Sequence, residues 1–150
     1  MKEQLAVAAL RNGTVIDHIP SEALFKCVDL LDLANLNVNI TIGNNLESEK
    51  LGKKGIIKIA DTEFHQDVIS RIAIIAPTAV INTIRDYEVV EKTPVTLPDE
   101  LIDIVMCDNP KCVSRVEPIP SRFEVLSADP VLLRCHYCEH DIKEGSIVLK

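Results

Sequence analysis

Four cysteines in the last third of the chain are the residues best suited to chemistry. Cys107, Cys112, Cys135 and Cys138 are spaced C-x4-C-x22-C-x2-C. Two close pairs separated by a longer insert suit a tetrahedral Zn²⁺ site, each pair offering two thiolates from one tight turn. Asp108, Asn109 and Pro110 between the first two cysteines are turn formers, and Cys135-His136-Tyr137-Cys138 is the shorter knuckle. Four sulfurs fill the coordination shell. The expected site is therefore closed and structural, one zinc per chain, with no open position for a catalytic water. Two disulfides or four unrelated buried thiols are the alternatives, and nothing in the sequence suggests secretion. His136 and His140 lie near enough to compete as ligands, but a full shell leaves both on the surface.

The rest of the chain offers fewer reactive patterns. It has no P-loop, no G-x-S-x-G and no Rossmann glycine pattern. Asp17 and His18 are adjacent in a strand-like stretch, so they are expected on opposite faces and not as a catalytic dyad. Lys58 interrupts an Ile-rich strand on the face of Ile56, where a lysine either reaches for water or meets an anion. Lys53, Lys54 and Lys92 would converge with it if the central hairpin and the last strand lie side by side. From spacing alone, scattered solvated lysines and an anion site on the open sheet face both stand. Cys27 falls on an apolar helix stripe and reads as a core thiol. An enzyme using Cys27 and His18 as nucleophile and base would lack an activating cation.

The elements that position these residues follow from hydrophobic period. Gln4–Leu10 is short and apolar, consistent with a strand or an ordered arm. Thr14–Ile19 is a β-branched strand stopped by Pro20. Ser21 is placed to cap a helix whose stripe is Leu24, Cys27, Val28 and Leu31. Asn37–Ile42 alternates with period two, and Gly43-Asn44-Asn45 reads as the start of a polar loop before a strand at Ile56–Ile59. A second helix is expected over 64–75, ended by Pro77. Ala79–Lys92 reads as one long strand with a bulge near Arg85-Asp86. The order β-α-β-β-α-β is that of the ferredoxin-like fold, α+β with an antiparallel sheet, both helices on one face and the other face open. Thr93–Pro98 is a proline-punctuated connector. Strands at Leu101–Met106, Arg122–Leu126, Val131–Leu133 and Gly145–Leu149 then build a small all-β zinc-binding domain. The expected division is residues 1–98 and 99–150.

Composition bounds the partners. Net charge is −7. Residues 101–150 carry eight acids and six bases, which leaves 15 acids and ten bases for residues 1–100. Neither part is basic, so a zinc-ribbon nucleic-acid module is a poor second reading. About 50 residues alone would struggle to build a core, and a metal is the usual remedy. The opening Met1–Leu5 has no signal-peptide character and no apolar run reaches membrane-spanning length. A cytoplasmic protein without membrane contact is expected.

Four segments in fixed order carry a resemblance: Gly13–Pro20 (GTVIDHIP), Gly52–Lys58 (GKKGIIK), Asn82 through Tyr87–Val90, and the cysteine quartet. Together they resemble the regulatory chains of aspartate carbamoyltransferase, an enzyme of pyrimidine biosynthesis. The resemblance covers essentially the whole chain. It implies a non-catalytic subunit with an N-terminal nucleotide-effector domain and a C-terminal zinc domain that grips the catalytic chain. It also implies regulatory homodimers joining catalytic trimers, with CTP helped by UTP as inhibitor and ATP as activator. Carried over by position, Ala9 and Leu10 would lie near the base and Val15 would form a wall. Asp17 and Lys58 would hold the ribose, and His18 and Lys92 the phosphates. Ile56, Asn82, Ile84, Tyr87 and Val89 would line the remainder, and Lys54 would serve a neighbouring second-nucleotide site. Ala8 departs from the pattern, standing where the family carries an acidic residue.

Overall fold

The computed structural model describes residues 9–150, so the expected strand at Gln4–Leu10, apart from its last two residues, and Ala8 lie outside the described residues. The chain divides into two compact units, Met1–Val95 and Thr96–Lys150.

The first unit is built on a five-stranded sheet. Its strands are β1 (Gly13–Pro20), β2 (Ile40–Ser48), β3 (Gly52–Ala60), β4 (Val80–Arg85) and β5 (Glu88–Pro94). Helix α1 (Leu24–Leu30) follows β1, and helix α2 (Gln66–Ile75) follows β3. The sheet order is β2-β3-β1-β4-β5, with every neighbouring pair antiparallel. Reading β4-β1-β3-β2, this is the split βαβ arrangement expected from the sequence, extended by a fifth strand.

One sheet face is covered and aliphatic. Ile16, Ile57 and Ile59 are fully buried, together with Leu24 and Cys27 of α1 and Ile72 and Ala73 of α2. Close approach explains Gly55: a Cβ there would meet Leu24 Cδ1 at 2.7 Å, so α1 rides directly on the backbone of β3. Gly13 is tighter still. It holds φ +144° and a Cβ would lie 2.1 Å from the Ile59 carbonyl oxygen.

Four expectations need correcting in this unit, two of them because left-handed residues break the pattern. Gly43-Asn44-Asn45 lies inside β2, not in a loop. Asn45 has φ +58° and the pairing with β3 shifts between Gly43 and Leu46, so the turn-like residues make a bulge. Ala79–Lys92 is not one bulged strand. Asp86 and Tyr87 take φ +49° and +68°, forming a two-residue turn between β4 and β5. The bulge lies just before that point on β4, where the register shifts between Thr83 and Ile84 and leaves Val90 of β5 as the extra residue. The connector is also shorter than expected, because Thr93 and Pro94 complete β5. Finally, Ser21 caps nothing. Ser21–Ala23 form a 3-10 turn leading into α1, and the buried Ser21 hydroxyl has no protein partner.

The second unit holds a four-stranded antiparallel sheet in the order β10-β9-β8-β6 and a separate ribbon of β7 with β11. Its strands are β6 (Glu100–Ile102), β7 (Val105–Met106), β8 (Arg122–Ala128), β9 (Val131–Cys135), β10 (Asp141–Lys143) and β11 (Val148–Leu149). The expected strand Leu101–Met106 is split at Asp103, which holds φ +58°. One turn of helix, α3 (Val113–Val116), follows Cys112. Phe123, Leu101, Leu133 and Ile142 are fully buried around the sheet.

Candidate functional site

The open face of the first sheet is read from its register. Val15 pairs with Lys58 on β3 and with Asn82 on β4, and Asn82 pairs with Lys92 on β5. Residues directly opposite share a face, so Lys58, Val15, Asn82 and Lys92 form one row across four strands. Two residues nearer the β4–β5 turn, Gly13 pairs with Ile84 and Ile84 with Val89. The face is therefore graded. Its end beside the Asp86–Tyr87 turn is apolar, and lysines begin one row further on.

A cleft of about 570 Å³ opens on this face. Ten of the thirteen residues named from the sequence line it: Ala9, Leu10, Val15, Asp17, Ile56, Lys58, Asn82, Ile84, Tyr87 and Val89. His18 and Lys54 line a second cleft of about 550 Å³ with Glu47, Ser48, Glu49 and Lys50. The two clefts meet at an ion pair, Lys54 Nζ to Asp17 Oδ1 at 3.0 Å. Lys92 stands one strand beyond Asn82, on the fully exposed β5.

The lysines do not converge as expected. β1 and β4 separate β3 from β5, so Lys58 and Lys92 are three strand steps apart, about 14 Å at the backbone. They flank the face instead of clustering. The Asp17–His18 expectation also fails. The β1–β3 register shifts between Ile16 and Ile19, and His18 takes φ +57°. Ile16 and Ile19 are both fully buried on the covered side, so the bulge leaves Asp17 and His18 together on the other. The His18 backbone N–H donates to Asp17 Oδ1 at 2.6 Å. His18 Nδ1 is buried and has no protein hydrogen-bond partner, an atom prepared for a ligand or water. Glu47, Ser48 and Glu49 were not singled out beforehand, because only the β2–β3 register brings them beside Lys54.

The second unit gathers all four quartet cysteines. Their sulfurs lie within 4.8 Å of one another. Cys107 and Cys138 are 3.6 Å apart, as are Cys112 and Cys135. A disulfide needs about 2.05 Å, and all five cysteines of the chain are free thiols. Tetrahedral coordination at a Zn–S distance of about 2.3 Å places sulfurs about 3.8 Å apart. The donor set and its spacing fit that geometry. Local turns set each pair: Lys111 N–H donates to Asn109 Oδ1, Cys112 N–H to the Asn109 carbonyl, and Glu139 N–H to the Cys135 carbonyl. Glu139 follows the knuckle at φ +60°. Arg115 ties α3 to the first turn through the Cys107 carbonyl at 2.7 Å.

Charge explains why the cluster wants a cation. Burial pushes the Cys107 and Cys135 thiols up, because thiolates there are poorly solvated and crowd one another. Burial also opposes ionisation of Cys112, but hydrogen bonds from the Ser114 hydroxyl and backbone outweigh it and bring that thiol down to about 7. A divalent metal would remove the conflict. His140 is not drawn in: its Nε2 lies 3.0 Å from Asp108 Oδ1 and its side chain is half exposed.

Comparison with known proteins decides the family. Residues 5–96 match the family described as aspartate carbamoyltransferase regulatory chain, allosteric domain. Residues 99–148 match aspartate carbamoyltransferase regulatory chain, metal binding domain. The chain belongs to the aspartate carbamoyltransferase regulatory chain family. Among relatives of that name, those of Parabacteroides distasonis and Bacteroides thetaiotaomicron are each 56% identical over 99% of this chain and 97% of their own. The one of Thermococcus sibiricus is 45% identical over the same shares. As a regulatory chain it is a non-catalytic subunit, and its four clustered cysteines lie within the stretch that matches the metal binding domain. The nucleic-acid reading is not favoured. Among the described residues no helix is long and apolar enough to cross a membrane.

Proposed function

We propose that this regulatory chain senses nucleotides on the open face of its first sheet and transmits the result to a catalytic chain through a zinc domain. The single observation carrying the first half is the cleft itself, where an apolar floor of Val15 and Ile84 meets Asp17, Lys58 and Asn82. An aromatic base suits the apolar end, and phosphates suit the lysines beyond. In this reading Ala9, Leu10, Tyr87 and Val89 receive the base, Asp17 and Lys58 the ribose, and His18 and Lys92 the phosphates. Lys54 serves a second nucleotide in the adjoining cleft. CTP, assisted by UTP, inhibits and ATP activates. Each acts only through its differential affinity for two states of the assembly, typically about 1–3 kcal/mol of coupling.

The metal is zinc, held by Cys107, Cys112, Cys135 and Cys138, and its role is structural because four sulfurs complete the shell. Residues 1–98 form the effector domain and residues 99–150 the domain that contacts the catalytic chain. Regulatory homodimers link catalytic trimers in the cytoplasm, in pyrimidine biosynthesis.

Calorimetric titration of CTP and ATP into the zinc-loaded chain tests the sensor. Saturable binding of both, weakened by Lys58→Ala and by Lys92→Ala, is the expected result. No binding of either nucleotide would leave the chain an assembly factor without a sensor.

A further inference from the structure

The Asp86–Tyr87 turn carries Tyr87 and Val89 into the cleft wall, yet its own conformation is unfavourable. Both turn residues are left-handed, and Tyr lacks the short polar side chain that lets Asp tolerate that region. Such a turn needs an outside hold, and the structure supplies one from a single neighbouring segment. Asn12 Oδ1 accepts the Asp86 N–H at 3.1 Å, and the Arg11 carbonyl accepts the Tyr87 N–H at 2.9 Å. Arg11 Nε adds an exposed, weak charge contact to Asp86 Oδ1 at 3.9 Å. On its other side the Asn12 carbonyl accepts the Asp61 N–H at 2.9 Å, anchoring this segment to the end of β3.

Ala9 and Leu10, which immediately precede this latch, line the same cleft as Tyr87 and Val89. The two halves of the apolar wall come from segments more than 70 positions apart in sequence, and the latch fastens them together. The charged residues of the cleft, Asp17 on β1 and Lys58 on β3, stand away from it.

We infer that Asn12 is a positioning and specificity-determining residue, holding the apolar end of the cleft shut around an aromatic base without touching the ligand. This rests on the nucleotide reading above. Asn12 acts through Asp86 and Tyr87, so its loss weakens recognition of the base and spares recognition of phosphate.

The test titrates CTP, ATP and inorganic tripolyphosphate into the full zinc-loaded chain and its Asn12→Ala and Asn12→Asp variants. Asn12→Ala weakens both nucleotides about three- to tenfold, the worth of one lost hydrogen bond, and leaves tripolyphosphate within twofold of the original. Asn12→Asp keeps an acceptor oxygen and restores nucleotide affinity. Unchanged nucleotide binding in Asn12→Ala, an equal loss for tripolyphosphate, or no rescue by Asn12→Asp each overturns the inference. If the original chain binds neither nucleotides nor tripolyphosphate, the cleft reading falls first and this one with it. A second measurement needs no variant: CTP slows amide exchange at Asp86 and Tyr87, whereas tripolyphosphate does not. Equal slowing by both, or by neither, overturns the latch.

Discussion

Cys27 illustrates how a residue's surroundings decide its chemistry. It is fully buried on α1, and burial pushes its thiol up to about 11. Only a trace of thiolate exists at neutral pH, and reagents cannot reach it. Iodoacetamide should leave Cys27 unlabelled in the folded chain and label it in urea; labelling without denaturant would refute its place in the core. Lys58 and Lys92 differ in the same way. Lys58 lines the cleft and Lys92 stands one strand outside it. Lys58→Ala should therefore weaken nucleotide binding about ten- to hundredfold, the range for losing a charged hydrogen bond. Lys92→Ala should cost less than tenfold, and the reverse order in calorimetry would contradict the geometry. The cysteine spacing made the four-sulfur cluster legible at this scale, because cysteines with two or four residues between them are set by local turns. The shared orientation of Asp17 and His18 was not legible. It depends on a bulge at His18, whose left-handed backbone no side-chain pattern announces.

Among the elements, β1 is the strand on which the first unit turns. It pairs with both β3 and β4 and places Val15 and Asp17 in the cleft. Its first residue tolerates no side chain: at Gly13 a Cβ would lie 2.1 Å from the Ile59 carbonyl oxygen, at φ +144°. Gly13→Ala should destabilise the first unit by about 2–4 kcal/mol, since backbone must move where no flexible side chain can yield. Urea denaturation followed by circular dichroism reads this directly, and a change below half a kcal/mol would mean that β1 and β3 separate easily. The helices and their apolar stripes were readable from period, as was the βαββαβ order. The β4–β5 hairpin was hidden because Asp86-Tyr87 is not a glycine-bearing turn pair. Its left-handed residues are held by Arg11 and Asn12, partners distant in sequence.

At the scale of the molecule, the two units draw stability from different sources. The first buries an aliphatic core between sheet and helices. The second has about 55 residues and gathers four thiols, three of them buried, at one point. Metal binding energy there is folding energy, roughly 10–16 kcal/mol for structural zinc in small peptides. Removing the metal with a mercurial or a strong chelator should unfold the second unit and leave the first sheet intact. Amide signals from β6–β10 would collapse while those of β1–β4 persist. On the function proposed above, the same treatment of the assembled enzyme should release the catalytic chain. Persistence of the second unit's signals in metal-free protein would show that its sheet folds without the metal.

The sequence by itself determined what local chemistry and periodicity can encode. These are the clustering of four cysteines, the aliphatic core stripes, the alternation of strands and helices, and the identity of most cleft residues through a family pattern. Tertiary structure alone decided how those residues meet. It separated Lys58 from Lys92 by two intervening strands, turned Asp17 and His18 to one side, and paired Lys54 with Asp17 between two clefts. It also set Asn12 against a turn 74 positions away. The reason is physical. Strand order, bulges and long-range backbone hydrogen bonds are fixed by which chains lie beside one another, and that is settled only when the sheet closes on its core.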